Sequence, residues 1–437
     1  MTSRSSFSNA GPSVNPVNPF DASAHAPMRA PMSARPFGMP PAARLVVKVM
    51  ERMSIGSLTV QYPDGSAARF GHGGPHAEIV LANWKVCEAA LKSGDIGFGE
   101  TWIAGDWTTP DLFALMNVMV ANRTAIEAVV YGKWWGRLLY RVKHLLHRNT
   151  RTGSKKNIHA HYDIGNAFYK LWLDPKMTYS SALFADDVAA STASARDDFA
   201  RLPEAQEAKY RRVLDRLVLA PGARVLEIGC GWGGFAEAAA RDGLEVTGLT
   251  LSAEQIEYAS KRIAAAKLDD RVELRIQDYR DANGQYDGIA SIEMFEAVGE
   301  DFWPGYFECI KRNLKPGGRA AIQTITIADA LFADYRKSSD FIQQYIFPGG
   351  MLPSVAAFRE QARRAGLVIV DQFAFGQHYA RTLAAWLTRF LASERKVRAA
   401  GFDTAFIRTW AFYLAYCVAA FRHENTDVMQ FTLEHAR

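Results

Sequence analysis

The stretch VLEIGCGWGGF, Val225 to Phe235, constrains the fold more than any other part of this 437-residue chain. An apolar run of strand type ends in Gly229, Gly231, Gly233 and Gly234, and the helical FAEAAARD follows at once. That order is the strand-to-helix turn of an α/β sheet. Glycine lacks a Cβ and tolerates positive φ, so the backbone there can approach a ligand closely. In such sheets ligands lie beyond the carboxyl ends of the strands, where the strand order reverses. The glycine spacing alone is a weak signal, and Glu227 sharpens it. A nicotinamide-type fingerprint leads with apolar strand residues, whereas here an acid sits inside the strand just before the first glycine.

From about Glu204 onward, short apolar runs alternate with helical stretches. The runs are RVLEIG, EVTGLT, RVELRIQ, YDGIASI, RAAIQTITI and LVIVDQF. AEQIEYASKRIAAAK and GYFECIKRNL are among the helices between them. The alternation predicts an α/β fold with a parallel, doubly wound, Rossmann-like sheet and right-handed crossovers.

A small α+β domain is expected in front of it. Residues 1–43 hold eight of the 18 prolines and a single acid, Asp21, which is the composition of a disordered tail. Residues 44–122 read as the small domain itself. SLTVQYPDGSAARFG forms two strands around an Asp-Gly turn, and AEIVLANW forms another strand. VCEAALKSG is a helix closed by Gly94, GDIGFGETWIAGDW a Gly-aromatic loop, and DLFALMNVMVAN an amphipathic helix.

The net charge of +5 is local. Between Ala128 and Tyr162 there is no Asp or Glu but eight cations, from Lys133 to Lys156, so the remainder of the chain is slightly acidic. YGKWWGRLLYRVKHLLHR sets such cations among Trp134, Trp135 and Tyr140 at helical spacing. Residues 123–160 therefore read either as a linker helix with a solvated basic face or as a surface for anionic phospholipid headgroups. No recognised nucleic-acid module accompanies the patch, so no nucleic-acid partner is expected. Four scattered cysteines without a CxxC pair argue against a disulfide framework or a zinc cluster, and no metal is expected. The apolar run Ala411 to Phe421 falls short of the roughly 20 residues that a bilayer requires. The N-terminus lacks the order of a signal peptide. The expectation is a cytoplasmic protein associated peripherally with the inner face of the membrane.

The V-L-E-x-G-C-G pattern resembles the first motif of class I S-adenosylmethionine methyltransferases, whose loop faces the methionine end and ribose of the cofactor. Thr250, with Gln255 one helical turn on, stands where an acid is usual after the second strand. That neutral pair narrows the resemblance to the cyclopropane-fatty-acid synthase group and its mycolic-acid methyltransferase relatives. HYDIGNAFYKLWLDPKMTYSSALF, His161 to Phe184, resembles the cofactor lid of that family. GLTLSAEQ, QDYRD, SIEMFEAVGE, YIFPGGMLPS and HYARTLAAW follow in the family's order. The similarity runs from about Gly94 to Arg422 and makes 161–437 the catalytic domain. GETWIAGDW looks like the N-terminal domain of the phospholipid-acting members. The resemblance implies S-adenosylmethionine as cofactor, held by Tyr162, Tyr179 and Ser180 of the lid and by Glu227, Gly229 and Gly231. Thr250 and Gln255 would meet the ribose, Asp278 and Tyr279 the adenine, and Ile292 would line the pocket. It also implies unsaturated phospholipid acyl chains as substrate and a homodimer.

The implied reaction puts a methyl group on a cis double bond and leaves a carbocation on the chain. A base then takes a proton from the new methyl, closing a cyclopropane, or from a neighbouring carbon, leaving a methyl-branched alkene. The cation calls for a dry site with aromatic faces, and Phe295, Tyr306, Tyr345, Phe347 and Tyr379 are the candidates. In the family the base is a bound bicarbonate, held by a Cys, a Glu, a His, an Ile backbone and a Tyr. The matching positions are Ser181, Glu296, Gln323, Ile325 and Tyr379, and Ala297 stands where a His is usual. Ser and Gln hydrogen-bond an anion, but Gln cannot carry a proton as His can. The expected product is a cyclopropane fatty acid. The alternatives are methylation without ring closure and an inactive homologue that only binds cofactor or lipid.

Overall fold

The computed structural model describes residues 38–130, 164–186 and 193–436. Most of the expected tail, most of the basic linker and Tyr162 lie outside the described residues.

The first helix, Pro41–Met50, begins inside the segment expected as tail, and Ala43, Val47 and Val49 fix it by burial. Strands β1 (Gly56–Gln61) and β2 (Ala67–His72) pair antiparallel across the Asp64-Gly65 turn. Strand β3 (His76–Leu81) adds to β1 in parallel, and β4 (Trp107–Thr108) closes a sheet of order β2-β1-β3-β4. The stretch expected as a Gly-aromatic loop is helical instead. Helix Lys85–Ala104 is interrupted at Gly94, where φ is 61° and ψ −133°, and then resumes. Its second half packs on the catalytic part. A Cβ on Gly99 would lie 2.5 Å from the Phe341 ring, so only glycine admits that contact. Trp102 Nε1 donates to the Arg408 carbonyl at 3.0 Å, and the Phe341 N–H donates to Asp95 Oδ2 at 3.1 Å.

The large sheet comprises β5 (Arg224–Ile228), β6 (Glu245–Thr250), β7 (Val272–Ile276), β8 (Tyr286–Ile292), β9 (Leu314–Ile327), β10 (Leu367–Ala374) and β11 (Thr426–His435). Their order is β10-β11-β9-β8-β5-β6-β7. The pairs β5–β6, β5–β8, β6–β7 and β8–β9 are parallel, as alternation predicts. The sheet is not wholly parallel. Strand β11 runs antiparallel between β9 and β10, and sequence reading assigned no strand there. The order reverses between β5 and β8, so the carboxyl ends of those two strands mark the ligand site.

Helix Thr404–Arg422 extends beyond the apolar run from which no span was expected. It is long and apolar enough to cross a membrane by length and composition, with mean hydropathy 1.3, yet its apolar window is 56% buried in the protein. It packs against helices Leu112–Ala121 and Gly376–Ala392, as a core helix does.

Candidate active site

The loop after β5 holds Gly229 at φ 87° and Gly231 at φ 50°. A Cβ on Gly229 would meet Met294 Cγ at 2.9 Å, whereas a Cβ on Gly231 would meet no protein atom within 4 Å. Gly231 thus borders a space that a side chain would fill. Glu227 lies beneath this loop with its Oε2 buried and unpartnered. Burial pushes its pKa up to about 8, against the pull of Lys209 and Arg262. At the end of β6, the Thr250 hydroxyl donates to Gln255 Oε1 at 2.9 Å. That leaves the Gln255 amide N–H2 as the donor of the pair. After β7, Asp278 is gripped by Arg280 through Nη2 at 2.6 Å and Nε at 2.9 Å. Tyr279 meets Tyr306 edge-on at 5.6 Å. Ile292 ends β8, half-buried beside this row. A glycine cradle, an orphaned buried carboxyl and a polar row along β5, β6 and β7 fit S-adenosylmethionine, a cation with a free ammonium, ribose and adenine.

Tyr179 and Ser180, expected as lid residues, are both held by hydrogen bonds. The Tyr179 and Tyr413 hydroxyls lie 2.9 Å apart, and the Ser180 hydroxyl accepts from Lys209 Nζ at 2.6 Å. Lys209 is fully buried. Burial lowers its pKa to about 7 against the attraction of Glu293, Asp174 and Glu227. Trp232 of the glycine motif is packing as well as polar anchor: its ring lies 5.2 Å from Tyr169, and its Nε1 donates to Asn166 Oδ1 at 2.6 Å.

Ser181, Gln323 and Tyr379 converge on a residue that sequence reasoning passed over, Glu293. It follows β8 directly at φ 52°, a left-handed conformation that is costly for any residue with a Cβ. Its Oε1 accepts the Ser181 N–H at 2.8 Å and Gln323 Nε2 at 2.7 Å. Tyr379 lies beside the same carboxyl and favours its charged form. The Ser181 hydroxyl, expected to serve an anion, turns instead to the Ala182 carbonyl at 3.1 Å. Three residues on, Glu296 accepts the Ile325 N–H and leaves its Oε2 buried without a partner.

The direction of the Gln323 amide is dictated from behind. Arg212 has only donors, and its Nη1 donates to Gln430 Oε1 at 2.7 Å. Gln430 must therefore turn its nitrogen to Gln323 Oε1, which it meets at 3.0 Å. Gln323 then presents its own N–H2 to Glu293. Burial raises both carboxyls. Glu296 is pushed to about 8, first by burial and then by the charge of Glu293. Glu293 is raised by burial too, but the Ser181 N–H, Lys209, Gln323 and Tyr379 all favour its ionised form. Of the two, Glu293 is the better placed to hold the charge, since two N–H donors meet on its Oε1 while Glu296 accepts one and leaves Oε2 without a partner.

Both carboxyls line a cavity of about 740 Å³. Its apolar wall includes Phe98, Met116 and Met119 from the N-terminal part and Ile325, Phe347 and Phe412 from the catalytic part. Tyr179 and Tyr379 line the same cavity. Two of the five expected aromatics, Phe347 and Tyr379, thus reach the cavity. Phe295 and Tyr306 belong to the packed core around helix Trp303–Asn313, and Tyr345 is exposed and bonded to Glu100 at 2.6 Å. Glu293 carried a signal in the sequence, two acids three apart in E-M-F-E at the end of a strand. Lys209, Arg212 and Gln430 carried none.

A family model described as mycolic acid cyclopropane synthetase matches residues 149–431. The chain is 38% identical to tuberculostearic acid methyltransferase UfaA1 of Mycobacterium tuberculosis, over 86% of this chain and 87% of that protein. It is 34% identical to the cyclopropane-fatty-acyl-phospholipid synthase of Escherichia coli, over 82% and 88% respectively. The solved structure of the cyclopropane synthase MmaA2 from M. tuberculosis is similar, with a TM-score of 0.58 and 31% identity, over 64% of this chain and 97% of that one. That of mycolic acid cyclopropane synthase CmaA1, solved with SAH and CTAB, has a TM-score of 0.57 at 31% identity, over the same shares of the two chains.

Proposed function

The chain belongs to the mycolic acid cyclopropane synthetase family of S-adenosylmethionine-dependent methyltransferases, and from that premise we propose that it adds the methyl carbon of the cofactor to the cis double bond of a phospholipid fatty acyl chain, giving a cyclopropane. One observation carries the reading: a mostly apolar cavity of about 740 Å³ whose lining includes Glu293, Glu296, Tyr179 and Tyr379. It offers room for a hydrocarbon chain, aromatic faces for a cation and a carboxyl for a proton.

When bound, S-adenosylmethionine supplies an electrophilic methyl group. Glu227, Gly229, Gly231, Thr250, Gln255, Asp278, Tyr279 and Ile292 hold it along the strand ends, with Tyr179 and Ser180 over it, and the family resemblance adds Tyr162, which lies outside the described residues. The Asp278 carboxylate keeps acceptor capacity for the adenine amine beyond what Arg280 uses. The apolar wall excludes water, which would otherwise capture the carbocation as an alcohol. The cationic stretch from Lys133 to Lys156 brings the protein to an anionic membrane surface, where phospholipid chains are found.

Methylation without ring closure is the second reading. It is favoured by Gln323, which cannot titrate where the family has His, and by the tuberculostearic acid methyltransferase among the relatives. The test is incubation with S-adenosylmethionine and vesicles of cis-unsaturated phospholipid. Mass spectrometry of the acyl chains reads the addition of one CH2, and gas chromatography after mild hydrogenation separates ring from branch. Unchanged chains across a range of double-bond positions refute the proposal.

A further inference from the structure

The geometry points to Glu293 as the base of the reaction, a carboxylate of the chain itself standing where the family resemblance implies a bound bicarbonate. The inference rests on the acyl-methylating function just proposed. A bicarbonate in this cage would need donors from Ser181, Gln323 and Tyr379. Those donors already meet on one carboxylate. The Ser181 N–H and Gln323 Nε2 lie 2.8 and 2.7 Å from Glu293 Oε1, and Tyr379 lies beside the same carboxyl and favours its charge. Adding a second anion beside it would set two like charges close together in a buried site.

Three features show that the position is built for a fixed anion. Gln323 cannot flip to offer its oxygen, because Arg212 and Gln430 set its direction from behind. Lys209 is buried close enough to stabilise the charge. The backbone of Glu293 is held at φ 52°, and its N–H is tied to the Gln323 carbonyl at 2.8 Å, so the side chain is committed to this direction. Strained backbone of this kind persists where the surroundings over-determine it.

The step balances without a further reactant. The alkene π pair forms the new C–C bond as the S–CH3 bond breaks and the sulfur keeps that pair as a neutral thioether. The cation on the acyl chain then loses a proton to the Glu293 carboxylate. If that proton leaves the new methyl, its C–H pair becomes the third ring bond. If it leaves a neighbouring carbon, the pair becomes a new double bond. Glu293 ends the turnover protonated and returns the proton to solvent when the product departs. Glu296 is already protonated beside it and does not compete for this proton.

The test uses the full-length protein, S-adenosylmethionine and oleoyl phosphatidylglycerol vesicles in carbon-dioxide-free buffer, with and without added bicarbonate. The wild-type protein is expected to form the one-CH2 product at rates equal within about twofold in both. A several-fold fall without bicarbonate overturns the assignment. Glu293→Gln keeps the shape but cannot take the proton, and a loss of roughly 10²- to 10⁴-fold is expected, the range of general-base catalysis. Its affinity for S-adenosylhomocysteine by calorimetry should stay within a few-fold of wild type. Wild-type turnover in this variant overturns the assignment. Glu293→Ala empties the cage and leaves its donors, so added formate or bicarbonate should restore part of the rate in that variant and none in Glu293→Gln. Equal rates in Glu293→Ala with and without these anions count against it. If Glu293→Gln does not fold, the wild-type comparison decides alone. A wild-type protein that forms no product from any unsaturated lipid overturns the proposed function, and this assignment with it.

Discussion

Glu296 makes the folded protein sensitive to pH in a direction opposite to that of a paired carboxylate. Its pKa is pushed from the ordinary 4.5 to about 8, by burial first and the Glu293 charge second. Below pH 4.5 the folded and unfolded forms both hold the proton, and no penalty exists. Between that point and about pH 8 the unfolded chain releases the proton while the folded site keeps it. Stability therefore falls as pH rises through this window, by about 1.4 kcal/mol per pH unit for an isolated group. At pH 7 the penalty is roughly 3 kcal/mol, and because Glu293 titrates with it, about 2 kcal/mol falls to Glu296. Glu296→Gln removes the titration and keeps the shape, including an oxygen for the Ile325 N–H. The variant should melt close to wild type at pH 5 and roughly 2–3 °C above it at pH 7 to 8. Near-ultraviolet circular dichroism melts of both proteins, without cofactor, read this directly. A melting difference that stays constant from pH 5 to 8 refutes the reasoning, because the carboxyl would then be ionised at neutral pH. Glu227 is raised in the same window but is present in both proteins and cancels.

Gly231→Ala places a methyl in a space free of protein atoms, so its folding cost is only the roughly 1 kcal/mol of a left-handed backbone. Calorimetry should show at least a tenfold loss of S-adenosylhomocysteine affinity. Arg212→Met frees the Gln430 and Gln323 amides to turn, and turnover should fall about tenfold, the loss of roughly one oriented hydrogen bond to a charged group. Cofactor affinity should not change in that variant. Trp102→Ala removes a fully buried ring and its bond to the Arg408 carbonyl, and should cost about 3–5 kcal/mol by thermal or denaturant unfolding.

The glycine turn, the hairpin at Asp64-Gly65 and the parallel run of β5, β6, β7, β8 and β9 were legible because local pattern and tertiary packing demand the same thing there. The two misread segments show where they part. GDIGFGETWIA looks like a loop because its glycines lower helix propensity. The protein needs them for close approach, since a Cβ on Gly97 would lie 2.1 Å from the Ala89 carbonyl and one on Gly99 would strike Phe341. Propensity loses to packing in that helix. Strand β11 was missed for a different reason. It follows helix Thr404–Arg422 after a turn and enters the middle of a finished sheet, antiparallel, between β9 and β10. Alternation of strands and helices carries no information about such an insertion.

Glu293 was passed over, despite its place in E-M-F-E, for a reason that applies to any site read by resemblance. Matching positions one by one finds residues that replace residues, here Ser181 and Gln323. It does not find a side chain that replaces a bound ion, because the ion has no position in the chain. Only the fold brings the Ser181 N–H, 112 residues away, to Glu293 Oε1. Lys209 was hidden in the same way. On a helix as rich in charge as Ala195–Leu217 a lysine reads as solvated surface, yet this one is fully buried with Ser180 and Glu293 as partners. The two substitutions that seemed to impair the cage are consistent with a carboxylate already in place. A neutral, fixed N–H2 and a backbone N–H suffice for an anion that never leaves, whereas an exchanging ion is better served by a titratable His.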